Sequence, residues 1–126
     1  NEDKHIVGVG YNGMPNGCDD SVYPWGRTGD FADQKYPYVV HAELNAILNA
    51  STSLKGCRIY VSLFPCNECC KAIIQSGIRE VVYLSDKYAA TDSTKASKRM
   101  LASAGVTCRR METDLTSVPV NFVAEE

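Results

Sequence analysis

The sequence lacks any run near the ~18 apolar residues that a spanning helix needs, which excludes a bundle of such helices. It has no internal repeat, no low-complexity tract and no linker rich enough in Pro, Gly or Ser to separate domains. Its opening residues, NEDKHIVGVG, carry no apolar core of a signal peptide. A basic excess is missing too: 13 Lys+Arg stand against 15 Asp+Glu, a formal net charge of −2. Gripping a nucleic-acid polymer by its phosphates normally requires the opposite balance, so a polymer substrate is disfavoured. A small anionic substrate needs only one local cationic or amide-lined pocket and stays open.

What is present is ordinary globular material. The 126 residues are 44% hydrophobic and 22% charged, enough for one domain with a core of its own, here spanning 1–126. Six cysteines stand at 18, 57, 66, 69, 70 and 108. An even count suits three disulfides in a small secreted domain, but three of the six fall within Cys66–Cys70, as in a metal cluster. The expected setting is therefore reducing and cytoplasmic.

Short strand-like runs alternate with helix-like stretches, the pattern of an α/β layered domain. Residues 5–9 (HIVGV), 58–63 (RIYVSL), 80–84 (EVVYL), 106–111 and 118–123 read as strands, the last as an edge because of Pro119. Residues 10–31 are dense in Gly, Asn, Asp and Pro and read as a long loop, of the kind that is usually functional. Within 40–50, Leu44, Ile47 and Leu48 fall on one helical face. Residues 66–75 (CNECCKAIIQ) form a second helix, stopped by Gly77, and 94–104 a third, ending at Gly105.

Three short blocks carry chemistry together: His41-Ala42-Glu43, Pro65-Cys66, and Cys69. Zinc takes imidazole nitrogen and thiolate sulfur in a tetrahedral set. Cys66 and Cys69, at i and i+3 on the first turn of a helix, turn both thiols to one side. There the helix dipole and free N–H groups favour thiolates. His41 supplies a third ligand, and three protein ligands leave a fourth position for water, as in catalytic zinc sites. Glu43, two residues from His41, is placed to move protons without ligating the metal. Taken alone, C-x-x-C also fits a structural zinc half-site or a redox pair, and a histidine at a helix start is more often a cap. The joint order H-x-E…P-C-x-x-C is the known signature of zinc deaminases. Cys18, Cys57, Cys70 and Cys108 are read as packed or surface thiols.

Beyond that signature, the sequence resembles the cytidine deaminase superfamily, and within it the deoxycytidylate (dCMP) deaminases. The resemblance rests on IVGVGYNGMPNGC at 6–18, YPYVVHAELNAILN at 36–49, KGCRIYVSLFPCNECCKAIIQSGI at 55–78 and VVYLSDKY at 81–88. It implies hydrolytic deamination of dCMP to dUMP, feeding thymidylate synthesis. His41, Cys66 and Cys69 would hold zinc, with Glu43 as proton shuttle. Asn12 would hold the sugar and the backbone of Ala42 would face the pyrimidine edge. Lys87 and Tyr88, after a strand end, are the candidates for the 5′-phosphate, ahead of Arg27 in the long loop. Tyr23 and Trp25 suit packing of that loop as well as ligand contact.

The resemblance also implies a homo-oligomer, a hexamer, activated by dCTP and inhibited by dTTP. Gly13, Asn16 and Gly17 would belong to the effector site, with Mg2+ accompanying the nucleotide. The implied architecture is a three-layer α/β/α fold around a mixed central sheet. The chain is expected to lack the family's N-terminal helix and first strand, so that 5–9 would be a strand without its partner. Two other readings remain at this point: a non-catalytic regulatory paralogue, and a zinc deaminase of another cytosine or adenine substrate. A purely structural zinc module is a weaker third.

Overall fold

A computed structural model describes residues 1–123. Three strands, β1 (Arg58–Leu63), β2 (Glu80–Ser85) and β3 (Thr107–Arg110), form a sheet in the order β1-β2-β3. All pairs are parallel, with Ile59 opposite Val81 and Val81 opposite Cys108. Parallel neighbours need crossovers. Helix α2 (Asn67–Gln75) joins β1 to β2 and α3 (Asp92–Ser103) joins β2 to β3, while α1 (Ala42–Leu48) precedes the sheet. The helices pack in series, α1 on α2 and α2 on α3.

Alternation along the strands divides the sheet into two unlike faces. Ile59 and Val81 point to the helices and join Cys57, Phe64, Cys70, Ile73, Ile78 and Leu101 in one buried core. The opposite face presents Arg58, Tyr60, Glu80, Val82 and Arg109. There Glu80 receives Arg58 Nε at 3.0 Å and Arg109 Nε at 2.9 Å, a carboxylate clamped from both neighbouring strands. The described residues thus show the α/β class and two of the three expected layers. Of the mixed sheet they show the parallel part, antiparallel pairing being confined to the isolated bridge between Gly13 and Val40.

The expected strand at 58–63 is found with those bounds, and the three helices lie where expected, shifted by one or two residues. Gly77 (φ +83) and Gly105 (φ +73) follow the ends of α2 and α3 in the left-handed conformation that glycine adopts without strain.

Two expected strands are corrected. Residues 5–9, expected as a strand without its partner, join no ladder and are not assigned as a strand; α1 lies against them. A Cβ at Gly10 would stand 2.3 Å from both Ala42 O and Ala46 N, so glycine is required for this close approach to the helix. Residues 118–123 also join no sheet. Their alternating Val118, Val120 and Phe122 are 70–95% exposed, and with no apolar surface to cover they gain nothing from strand pairing. The long loop at 10–31 is as expected, and a 3-10 turn, Phe31–Asp33, follows at its end. Within it Tyr23 meets Tyr38 edge to face and Trp25 Nε1 donates to Asp20 O at 3.1 Å, so both aromatics pack the loop.

Candidate active site

Two helix starts converge on one point. His41 is the N-cap residue of α1 and Cys66 that of α2, both with extended backbone (ψ 153° and 166°). The Cys66 thiol takes the capping role usual for Ser or Asp, accepting from Cys69 N at 3.4 Å. His41 Nδ1 lies 3.4 Å from Cys66 Sγ and 3.5 Å from Cys69 Sγ. The three donor atoms all lie within 4.8 Å of one another, a cluster that could hold a metal ion. One imidazole and two thiols, running from the exposed His41 through the half-buried Cys66 to the buried Cys69, are the donor set zinc prefers.

The electrostatics fit that use. Hydrogen bonding from Cys69, and then from His41, pulls the Cys66 thiol down to about 4, so it stands as a thiolate beside the α2 N-terminus. Cys69, which shares its proton with that thiolate, is pushed up. The hydrogen bond with Cys66 also raises the His41 imidazole, against the effect of burial. Glu43 projects from the first turn of α1, and its carboxyl is raised chiefly by burial. A carboxyl raised in this way holds a proton more readily than a free one, which suits a group that takes a proton and gives it back.

The turn carrying Cys66 is held from behind by α3. Ser97 Oγ, fully buried, donates to Pro65 O at 2.9 Å, and Ser93 Oγ donates to Asn67 Oδ1 at 2.9 Å. Cys70 is buried on the core side of α2 and its thiol is pushed up to about 11 by desolvation, an inert packed thiol. No cysteine is paired.

Beside the cluster opens a groove of about 980 Å³. Asn12, His41, Ala42, Glu43, Cys66 and Tyr88 line it, together with the 6–10 segment and β1. Six of the residues singled out in the sequence are thus brought together. Lys87 is not part of the lining; its Nζ lies 5.1 Å from the centre of the Tyr88 ring. Gly13 is engaged in the bridge to Val40, and Asn16 and Gly17 form an exposed turn away from the groove lining. Asn12 and Ala42, expected to act separately, are bonded to each other: Ala42 N–H donates to Asn12 Oδ1 at 2.8 Å. The sequence reading missed Asn45, whose Nδ2 donates to Tyr11 O at 2.8 Å. Its i+3 spacing from Ala42 was the available signal.

A His-Cys-Cys cluster at two helix starts, with a half-buried carboxyl in the first turn of α1 and an open groove alongside, defines the centre of a zinc-dependent deaminase. Residues 1–85 match the cytidine and deoxycytidylate deaminase zinc-binding region. Human deoxycytidylate deaminase is 54% identical over 97% of this chain and 70% of its own length. The mouse deoxycytidylate deaminase is 52% identical over the same shares, 97% and 70%. The crystal structure of a cyanophage S-TIM5 dCMP deaminase in complex with dCMP and dUMP superposes with a TM-score of 0.63 at 27% identity, covering 85% of this chain and 74% of that one. The chain belongs to the cytidine and deoxycytidylate deaminase family, and it is an enzyme of that class. Among the described residues no helix is long and apolar enough to cross a membrane.

Proposed function

We propose that this protein hydrolyses dCMP to dUMP and ammonia, supplying dUMP for thymidylate synthesis. The observation that carries this reading is the His41, Cys66 and Cys69 cluster beside a groove that His41, Cys66 and Glu43 line, in a chain 54% identical to human deoxycytidylate deaminase. His41, Cys66 and Cys69 would hold zinc. Bound there, zinc supplies Lewis-acid activation of water near neutral pH. Glu43 takes a proton from the attacking water and passes it to the ring nitrogen of the pyrimidine. The second proton leaves with the amine, so water is consumed and ammonia released in balance.

Asn12 holds the sugar through its Nδ2–H, since its Oδ1 is engaged with Ala42, and the backbone at Ala42 borders the pyrimidine edge. Lys87 and Tyr88 receive the 5′-phosphate: a phenol that lines the groove and a cation over its ring are neutral and charge-assisted donors of the required kind. The exposed turn at Asn16 and Gly17, with Gly13 behind it, serves the regulatory nucleotides dCTP and dTTP, with Mg2+ on their phosphates, in a homo-oligomer, a hexamer.

The test is Glu43→Gln. Glutamine keeps the shape and the metal ligands but cannot carry the proton, so turnover of dCMP falls by about 10²–10⁴ with zinc content unchanged. Loss of cytosine absorbance follows the reaction. Undiminished turnover in this variant rules the mechanism out, and turnover of cytidine or polynucleotide in place of dCMP rules out the substrate.

A further inference from the structure

We infer that Asn45 is a positioning residue for substrate binding, fixing from α1 the loop that carries Asn12. This rests on the sugar-holding role proposed above for Asn12.

Residues 5–12 pass over α1 without joining a ladder, with Gly8 and Gly10 against Ala42 and Ala46. Backbone pairing begins only at Gly13, which exchanges hydrogen bonds of 3.1 and 2.8 Å with Val40. Ahead of that bridge, two side-chain amides tie the segment to the helix. Asn45 Nδ2–H donates to Tyr11 O at 2.8 Å, and Asn12 Oδ1 accepts from Ala42 N–H at 2.8 Å. Ala42, Asn45 and Ala46 lie at i, i+3 and i+4, on one face of α1. Gly10 closes onto the same face, with backbone contact that leaves no room for a side chain.

The amide of Asn45 is half-buried and does not line the groove, so it acts through the loop and not on substrate. It grips the carbonyl of the residue just before Asn12. An amide side chain has one acceptor oxygen and one donor group. With the backbone at Tyr11 fixed, Asn12 keeps its oxygen on Ala42 and its donors towards the groove, where it also lies. Without that grip, Asn12 must hold the loop and the sugar with one side chain, and the bound orientation is less populated before substrate arrives.

The zinc-loaded full chain tests this with Asn45→Ala, Asn45→Asp, Asn12→Ala and the double variant Asn12→Ala/Asn45→Ala, each assayed for kcat and KM on dCMP, zinc content and thermal midpoint. Losing one hydrogen bond of this kind is expected to raise KM about 3–10-fold in Asn45→Ala, with kcat within about two-fold. Asn45→Asp keeps the size but sets an acceptor against the Tyr11 carbonyl, and raises KM at least as much. The double variant is no worse than Asn12→Ala, because both act through one contact. Multiplying effects in the double variant, a wild-type KM in Asn45→Asp, or zinc loss on changing Asn45 overturns the inference. A wild-type KM in Asn12→Ala instead overturns the Asn12 reading and this inference with it; failure of this inference alone shows as an impaired Asn12→Ala beside a normal Asn45→Asp.

Discussion

His41 Nδ1 and Cys66 Sγ meet at 3.4 Å, each from the cap position of its own helix. Cys66 thus serves local structure and chemistry together, since its thiol caps α2, whereas His41 makes no side-chain cap bond. The free N–H groups at the start of α2 stabilise a thiolate there, and the same thiolate faces the imidazole across the cleft.

That double role makes Cys66→Ser an informative change. Serine is a strong N-cap residue, so α2 should persist. Its hydroxyl is a poor zinc ligand, so metal content should fall from about one ion per chain to a small fraction of that, and activity with it. Metal analysis beside circular dichroism separates the two effects. Equal loss of helix and metal would show that the thiolate is needed for the fold itself.

Lys87→Ala should raise KM for dCMP about 10–100-fold, the loss of one charge-assisted contact, and leave KM for deoxycytidine unchanged. Steady-state kinetics on the two substrates decide it. A parallel rise for deoxycytidine would remove Lys87 from the phosphate site.

Glu80 lies on the sheet face away from the helices, its side chain 11% exposed between two arginines. The hydrogen bond from Arg109, aided by the charge of Arg58, holds its carboxyl below the ordinary 4.5. A carboxyl lowered by folding contributes stability that is complete above the unfolded value and is lost as pH falls through the folded one. Glu80→Gln should therefore lower stability near pH 7 and flatten its decline below pH 4.5, read from urea midpoints across pH. An unaltered acid limb would assign the acid sensitivity elsewhere.

Gly10→Ala and Gly17→Ala should differ sharply. At Gly10 the added carbon meets backbone at 2.3 Å, which cannot yield without moving α1, and about 1–3 kcal/mol of stability should be lost together with substrate affinity. At Gly17 the space is open and only the φ of +86° opposes a side chain, costing about 1 kcal/mol. Denaturation curves and KM for dCMP check both. Equal behaviour would mean that the loop stands clear of α1.

The local elements were legible because their signals are local. Cys66 at a helix start, Gly77 after its end, and the apolar EVVYL run each act within a few residues, and all three stand where expected. The strand expected at 5–9, itself read as one without its partner, forms no ladder for a non-local reason: what lies against it is α1, at Gly8 and Gly10. The run at 118–123 failed likewise, since β-propensity expresses packing and no surface is offered there.

By itself, then, the sequence determined which groups carry the chemistry. Imidazole, two thiols at i and i+3, and a carboxyl beside the imidazole define a donor set and a proton carrier whatever surrounds them. Only the tertiary structure decided how they are held. The meeting of two helix starts separated by 25 residues, the bond between Asn12 and Ala42, and the grip of Asn45 on Tyr11 depend on long-range packing. The chain's own periodicity carries no record of such contacts, because their energy arises only when distant segments close on one core.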